Sequence, residues 1–453
     1  MNIIIDAMGG DNAPLEIVKG ALSAHARFGC DITLTGDEAA IRSAAARCGA
    51  STLPQGVTIH PTTETVEMCD DPATVFRRKK DSSMGVALTL LRDGAGDAVV
   101  SAGSTGALLT GATLITKRIH GIRRAAMAPV IPTTTGSAVL IDCGANAECT
   151  PEYLVQFAYL GNFYAKRVLG VETPRVGLLN IGAEDSKGTD LQKATLALLR
   201  KADEAGDLHF IGNIEAKDAI KGGCDVIVTD GFSGNVMLKS IEGVGSFAGS
   251  AVLIDCGANA ECTPEYLVQF AYLGNFYAKR VLKVETPRVG LLNIGAEDSK
   301  GTDLQKATLA LLRKADEAGD MHFIGNIEAK DAIKGGCDVI VTDGFSGNVM
   351  LKSIEGVGSF AGSALKGMFK KNLLTKLAAL LVMPGLNEFK ARLDPNKVGG
   401  TAFIGISRPV IKAHGGSNAE AIENAVGQAI QVAESGIIDD IAANIHKMQT
   451  VSE

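Results

Sequence analysis

The chain has 453 residues, 46% apolar and 21% charged, with a net charge of −7. These values suit a soluble globular enzyme and exclude a disordered chain. No apolar run approaches the roughly 18 residues of a membrane-spanning helix, and no basic surplus calls for nucleic acid.

Short β-branched runs alternate with amphipathic segments. Asn2–Asp6 reads as a strand rather than a signal peptide, because no basic stretch precedes it and its apolar run is short. Pro14 then suits the first position of a helix, with Ile17, Val18, Ala21 and Leu22 at helical spacing. Asp31–Thr35 predicts a second strand, and an Ala-rich helix follows Asp37. Ala98–Ala102 predicts a third strand, running through a Gly-rich turn into a helix over Ala107–Lys117. Four more strands are expected at Val139–Cys143, Val176–Ile181, His209–Ile214 and Val226–Thr229. This alternation predicts an α/β fold with a doubly wound, mainly parallel sheet, and the near-continuous apolar strands fit burial on both faces.

From Gly136 onward the chain repeats itself. Residues Gly136–Ala248 return as Gly249–Ala361 at an offset of 113, differing only at Gly170 against Lys283 and Leu208 against Met321. Removing one 113-residue copy from 453 leaves 340 residues. The repeat is too long and too little diverged for a solenoid. The first copy carries ten Lys and Arg against fifteen Asp and Glu, so most of the net acidity is duplicated charge. The chain divides into residues 1–135 (N-terminal part of the α/β domain), 136–248 (first copy), 249–361 (second, redundant copy) and 362–453 (helical arm and C-terminal part). One copy is expected to complete the sheet begun by residues 1–135, with a slight preference for the first. The other is expected to be looped out and loosely packed.

Ser363–Arg392 predicts an amphipathic arm broken at Pro384 and Gly385. Its apolar face includes Leu373, Leu377, Leu380 and Leu381, and its polar face is mainly Lys and Arg. Two readings stand: a packing or dimerisation helix, and a helix lying on an anionic lipid surface. The nine cysteines contain no C-x-x-C pair and no accompanying His cluster, so they read as reduced thiols of a cytoplasmic protein, with no metal site.

Five loops carry chemistry-bearing residues, most of them at strand ends, where parallel sheets bind ligands. Asp6-Ala7-Met8-Gly9-Gly10-Asp11 couples two carboxylates to glycines that permit close backbone approach. A tight turn with a helix cap explains the same residues. Ser101-Ala102-Gly103-Ser104-Thr105-Gly106-Ala107 offers hydroxyls and N–H groups at a helix start, a cradle for phosphate without a Walker lysine. Asn180–Gly188 places Lys187 beside Glu184 and Asp185, either of which could set its position, and Asn293 and Lys300 repeat it. Asp230-Gly231-Phe232-Ser233-Gly234-Asn235 suits a substrate-binding turn, repeated at Asp343 and Asn348. Lys412-Ala413-His414-Gly415 contains the one histidine in a motif-like loop, with a structural histidine as the alternative.

In this order, DAMGGD, SAG-x-TGA, NIG-x-ED-x-KG, DGF-x-GN and KAHG resemble the acyl-ACP:phosphate acyltransferases of the PlsX family over the whole 340-residue core. Ser104 stands where that family often has Asn. The resemblance implies a Rossmann-like homodimer, similar in fold to the isocitrate and isopropylmalate dehydrogenases and to phosphotransacetylases. It implies acyl transfer from acyl carrier protein to inorganic phosphate, with no cofactor. The acyl phosphate then feeds a membrane glycerol-phosphate acyltransferase in phospholipid synthesis. The expected catalytic residues are Asn180, Lys187, Asp230, Asn235 and His414, with phosphate binding at Ser101, Gly103, Ser104, Thr105 and Gly106, and a substrate loop at Asp6, Gly9, Gly10 and Asp11. Phosphate is already a nucleophile, so no triad is required, and an anion site with oxyanion donors suffices. Acyl carrier protein is acidic, and Arg77, Arg78, Lys79 and Lys80 form a candidate docking patch. Three other readings are a phosphotransacetylase-like enzyme using acyl-CoA, a dehydrogenase of related fold, and a non-catalytic, membrane-associating product of the duplication. No G-x-G-x-x-G follows the first strand, which disfavours the dehydrogenase.

Overall fold

A computed structural model of the chain describes residues 1–243, 251–257, 259–280, 284–369, 400–404, 406–413, 416–436, 438–439 and 442. His414 and the arm residues Leu373, Leu377, Leu380 and Leu381 lie outside them. Contacts divide the chain into two units. One comprises Met1–Val130, Asn162–Glu172 and Asp394–Glu453; the other comprises Ile131–Gly161 and Thr173–Leu393.

The first unit is built on β1 (Asn2–Asp6), β2 (Asp31–Gly36), β3 (Val57–Pro61), β4 (Ala98–Ser101) and β5 (Ala126–Ala128), with Gly400–Ile404 and Val410–Ala413. The sheet order is β3-β2-β1-β4, then Val410–Ala413, Gly400–Ile404 and β5. The pairs from β3 to Val410–Ala413 are parallel, while Gly400–Ile404 runs antiparallel to both neighbours. Ile3, Ile4 and Ile5 are fully or almost fully buried, as expected of a strand covered on both faces. Helix Leu15–Phe28 starts one residue after Pro14 and ends at Gly29, whose φ of 67° places it in the left-handed region. Asp37 caps helix Glu38–Arg47, accepting the Ala40 N–H at 2.6 Å. The helix expected over Ala107–Lys117 starts at Thr105 and widens into a π-helical turn over Ala112–Thr116.

The second unit holds two further sheets. The first copy's β7 (Gly136–Ile141), β8 (Arg175–Leu179), β9 (His209–Ile214) and β10 (Val226–Val228) join β6 (Val130–Thr133), which precedes the copy, in the order β6-β7-β10-β8-β9. In the second copy, β11 (Val252–Ile254), β12 (Arg288–Leu292), β13 (His322–Ile327) and β14 (Val339–Val341) take the order β11-β14-β12-β13. The pairings repeat at an offset of 113: Val226 sits opposite Val139 and Val176, and Val339 sits opposite Val252 and Val289.

Two expectations are thereby corrected. The strands do not form one doubly wound sheet; they form three sheets in a mixed α/β fold with extensive parallel pairing. Neither copy completes the N-terminal sheet, which closes with the strands at 400–404 and 410–413, and the second copy is not looped out. Each copy contains four strands that pair among themselves with crossover helices between them. Most of its strand N–H and C=O groups therefore pair within the copy, and in the first copy β6 covers the outer edge of β7. Helix Asp190–Glu204 opens with a capping box between Thr189 and Gln192, and Asp303–Glu317 opens with the same box between Thr302 and Gln305.

Candidate functional site

The strand order of the first unit reverses at β1. From there the chain moves outward to β2 and, on the other side, to β4. The loops leaving β1 and β4 therefore lie side by side at a topological switch point, where open α/β sheets bind ligands. Asp6 ends β1 and is 1% exposed. Ser101 Oγ donates to Asp6 Oδ2 at 2.7 Å, and the Gly103 N–H donates to Ser101 Oγ at 3.1 Å. Burial raises the Asp6 carboxyl above its ordinary range, against hydrogen bonds from Ser83, Ser101 and the Met8 and Gly9 backbone. Asp6 thus pins the two loops together. A Cβ on Gly9 would stand 2.8 Å from the Gly103 nitrogen and 2.5 Å from Asp6 Oδ2, so this contact requires glycine. Gly10 has a φ of 99°, and Asp11 is exposed. Ser104 caps helix Thr105–Gly111 by accepting the Ala107 N–H at 3.4 Å, while Thr105 and Gly106 are half-buried. A Cβ on Gly106 would come within 3.1 Å of Pro72.

Lys412 is paired in register with Ser101 on the neighbouring strand, is buried, and donates to the carbonyl of Ala413. Asn12 Nδ2 donates to the Ser417 carbonyl at 3.2 Å, so Ser417 as well as Lys412 is tied to this region.

In the first copy, the loops after β7, β8 and β10 hold the remaining candidates. Asn180 is 1% exposed, donates to the Lys187 carbonyl at 3.1 Å and accepts the Ile181 N–H at 2.8 Å. Its amide thus ties the two ends of the loop that carries Lys187. Gly188 has a φ of 89°, and a Cβ there would stand 2.4 Å from Asn180 Oδ1. Asp185 pairs with Arg200 at 2.7 Å. The exposed Lys187 ammonium has no carboxylate partner among the described residues. Asp230 accepts the Ser233 N–H at 2.8 Å, and burial raises its carboxyl above the ordinary range. Asn235 is half-buried, and its buried Oδ1 accepts no hydrogen bond among the described residues. A buried amide oxygen of this kind is costly unless a ligand meets it.

Asp142 is a site candidate that the sequence did not point to. It is fully buried and gathers the N–H groups of Ala145 and Asn146 at 3.2 and 2.7 Å and the Asn146 amide at 2.9 Å. A Cβ on Gly234 would lie 1.9 Å from the Asp142 carbonyl oxygen, and one on Gly231 would lie 2.5 Å from the Asn146 carbonyl oxygen. The glycines of the Asp230–Asn235 turn therefore let the helix start sit directly on the Asp142 loop. The available signal was the Asp-Cys-Gly-Ala-Asn sequence, which resembles the other strand-end loops but was absorbed into the predicted strand.

The second copy reproduces this set. Asn293 Nδ2 donates to the Lys300 carbonyl at 3.2 Å, Asp343 accepts the Ser346 N–H at 2.8 Å, and Asp255 accepts the Asn259 N–H at 2.7 Å. A Cβ on Gly257 would stand 3.0 Å from Asn348 Nδ2, as one on Gly144 would stand 3.1 Å from Asn235 Nδ2. Burial raises Asp343, and the nearby Asp230 adds to it.

Of the basic patch, Arg77, Arg78 and Lys80 are exposed. Lys79 is engaged: its Nζ donates to Asp70 at 2.6 Å and to the Thr65 carbonyl at 2.8 Å. Among the described residues no helix is long and apolar enough to cross a membrane.

The profile of the fatty acid synthesis protein family matches residues 1–251 and, a second time, 246–440. Curated relatives named phosphate acyltransferase align over nearly the whole chain. That of Geobacillus thermodenitrificans is 34% identical over 449 residues, covering 99% of each chain. That of Thermoanaerobacterium thermosaccharolyticum is 32% identical over 445 residues, covering 98% of this chain and 97% of its own. Solved structures with partial likeness include a phosphotransacetylase from Streptococcus pyogenes. Its TM-score is 0.43 at 19% identity, covering 54% of this chain and 82% of its own.

Proposed function

The chain belongs to the fatty acid synthesis protein family, whose relatives named above are phosphate acyltransferases, and on that premise we propose that it moves a fatty acyl group from an acyl carrier protein thioester to inorganic phosphate. Acyl transfer to phosphate is the reaction of those relatives. The carrier-protein donor is the finer reading, and it is favoured by the exposed Arg77, Arg78 and Lys80, which suit an acidic partner.

A phosphate oxygen attacks the thioester carbonyl, forming a C–O bond. The tetrahedral intermediate collapses with cleavage of the C–S bond, whose electron pair stays on sulfur, and a proton from the medium or the phosphate completes the free carrier thiol. The protein must hold a dianion and stabilise an oxyanion. In our reading Lys187 meets the phosphate charge, and Asn180 and Gly188 hold the loop that presents it. The Ser101–Gly106 turn supplies N–H groups and hydroxyls, and the buried amide oxygen of Asn235 meets a polar group of the substrate. Asp6, Asp142 and Asp230 direct their oxygens at backbone and side-chain donors, so each sets loop geometry rather than acting as a base. We extend the proposal to a Rossmann-like character of the parallel sheets, a homodimeric single-copy form, and contact of the Ser363–Arg392 arm with an anionic membrane.

The observation that carries this reading is Lys187: an exposed cation on a loop fixed from a buried strand end, with its acidic neighbour Asp185 already paired to Arg200. Lys187→Met removes a charged hydrogen-bond donor worth about 1.5–3 kcal/mol, or roughly a ten- to hundredfold loss in kcat/KM for phosphate. The assay is acyl phosphate formation from acyl carrier protein and phosphate. Unchanged phosphate kinetics would remove the loop from the site. Equal rates with acyl-CoA would favour the phosphotransacetylase-like alternative.

A further inference from the structure

The contacts between the two copies come in exchanged pairs. Glu261 of the second copy accepts the Asp190 N–H at 2.9 Å, and Glu148 of the first accepts the Asp303 N–H at 3.0 Å. Adding 113 to one pair and subtracting it from the other interconverts them. Each glutamate thus meets the first N–H of the other copy's long helix, where a carboxylate also opposes the helix dipole.

The helices obey the same exchange. A Cβ on Gly243 would stand 3.0 Å from Lys330 Cα, and one on Gly356 would stand 3.0 Å from Lys217 Cα. Ile333 and Ile220 complete the two contacts at 3.2 and 2.9 Å. Helix Gly231–Gly243 packs on Ala329–Asp331 and on Gly344–Phe369, while Gly344–Phe369 packs on Ala216–Ile220. Charges follow suit. Lys239 pairs with Glu242 at 2.9 Å and Lys330 with Glu328 at 3.1 Å; their equivalents Lys352 with Glu355 and Lys217 with Glu215 close at 2.9 and 3.0 Å. Burial alone would lower Lys239, yet Glu242 and, across the seam, Glu328 hold it above its ordinary value.

Contacts that exchange residue i with j and j with i define an isologous, two-fold interface. Two linked domains that met by chance would bury unlike surfaces. From this reciprocity we infer that the seam between the copies is a two-fold subunit interface closed inside one chain, the second copy occupying the place of a second chain's central segment. Covalent linkage favours this closure. A short connection gives the second copy an effective concentration of about millimolar, so at micromolar protein the internal partner displaces an external one. The full chain is then satisfied through this face and does not dimerise by it.

The test uses the full chain. Gly243→Cys/Lys330→Cys and its mirror Lys217→Cys/Gly356→Cys are oxidised at micromolar concentration and compared with the unmodified chain on non-reducing gels. Both pairs should link within one chain of 47.0 kDa. Mixed single-cysteine chains should not link to each other. Where a cysteine disturbs the packed glycines, zero-length Lys–Glu cross-linking of the unmodified chain, mapped by mass spectrometry, supplies an independent readout. Links from Lys239 to Glu328 and from Lys217 to Glu355 should appear in monomeric chains. Links found only between chains, links at one mirror pair but not the other, or no link by either chemistry would overturn the inference.

Discussion

Helix Pro151–Arg167 of the first copy and helix Pro264–Arg280 of the second have the same sequence and opposite surroundings. Phe157 and Tyr159 are 0% and 1% exposed, whereas their counterparts Phe270 and Tyr272 are only partly buried. Tyr266 is 47% exposed. In the first copy the end of the helix meets Ala419–Glu434: Gln428 Nε2 donates to Tyr164 Oη at 3.4 Å, and Gln431 Nε2 donates to the Val168 carbonyl at 2.8 Å. The second copy's helix borders an open groove of about 490 Å³ lined by Val268, Gln269, Tyr272 and Leu311, whose first-copy counterparts Val155, Gln156 and Tyr159 are buried. The four strands of each copy match pair for pair, but the helical faces do not. Strand pairing is therefore specified within the 113 residues, while burial of the helix depends on what the rest of the chain lays over it. Only one N-terminal segment and one tail exist per chain, and the first copy's helix meets the tail.

Truncating the same residue in each copy sharpens this difference most. Phe157→Ala should cost about 3–5 kcal/mol, as for a closed core site, because its neighbours cannot collapse into the cavity. Phe270→Ala removes a ring that is already partly in water and should cost about 1 kcal/mol. Urea unfolding of the two variants measures both. Equal losses would mean that the second helix is covered in solution.

The chemistry should follow the same asymmetry at a smaller scale. Lys187 and Lys300 stand on identical loops, so nothing within the copies separates them. The first copy is the one whose helix continues to the tail through Tyr164 and Val168. Lys187→Met should therefore lower kcat/KM for phosphate about ten- to hundredfold, and Lys300→Met should leave it within about twofold of the parent. Removing Gly249–Ala361 should preserve activity for the same reason, and should give a dimer by sedimentation once the internal partner is gone. Loss of activity in a well-folded deletion form would show that the second copy does the work.

The strands were legible because Val-Leu-Ile, Val-Gly-Leu-Leu and Val-Ile-Val runs bounded by polar turns admit few other structures. His209–Ile214 was placed to the residue. The loops were legible because glycine beside Ser, Asn, Asp or Lys at a strand end is more than a turn needs. Asp142 was hidden because its role depends on Gly231 and Gly234, far along the chain, approaching its backbone. Strand partners were hidden for a different reason. Periodicity gives the face of a strand but not its neighbour, and in a duplicated chain each strand has two equally suitable neighbours. The antiparallel strands Ala126–Ala128 and Gly400–Ile404 were missed because the first has three residues of weak strand preference and the second opens on Gly-Thr-Ala, with no β-branched apolar run. Lys79 was counted with the exposed patch because a run of four basic residues does not reveal which one turns toward Asp70.

The smallest expected effect is one where the copies should agree. Arg175 grips Asp225 through Nε at 3.0 Å and an Nη at 2.9 Å, and also donates to the Gly223 and Gly222 carbonyls at 3.1 and 3.0 Å. Arg288 repeats this with Asp338 at 3.0 and 3.0 Å and with Gly336 and Gly335 at 3.2 and 2.9 Å. Burial would raise the Asp225 carboxyl, but the Arg175 fork outweighs it and holds it below its ordinary value; the Arg288 fork lowers Asp338 likewise. A folded-state pKa below the unfolded one adds stability that is fully present above the ordinary aspartate value and is lost as pH falls through the folded pKa. Both arginines are about two-fifths exposed, so solvent screening limits each fork to about 1 kcal/mol. Arg175→Ala and Arg288→Ala should therefore each destabilise the chain by about that amount at neutral pH. Their differences from the parent should shrink together as the medium becomes more acidic than the ordinary aspartate range. Equal acid profiles in urea titrations would confirm that the two sheets are held by the same local means. A fork that matters in one copy alone would show that the context separating the helices also reaches the strands.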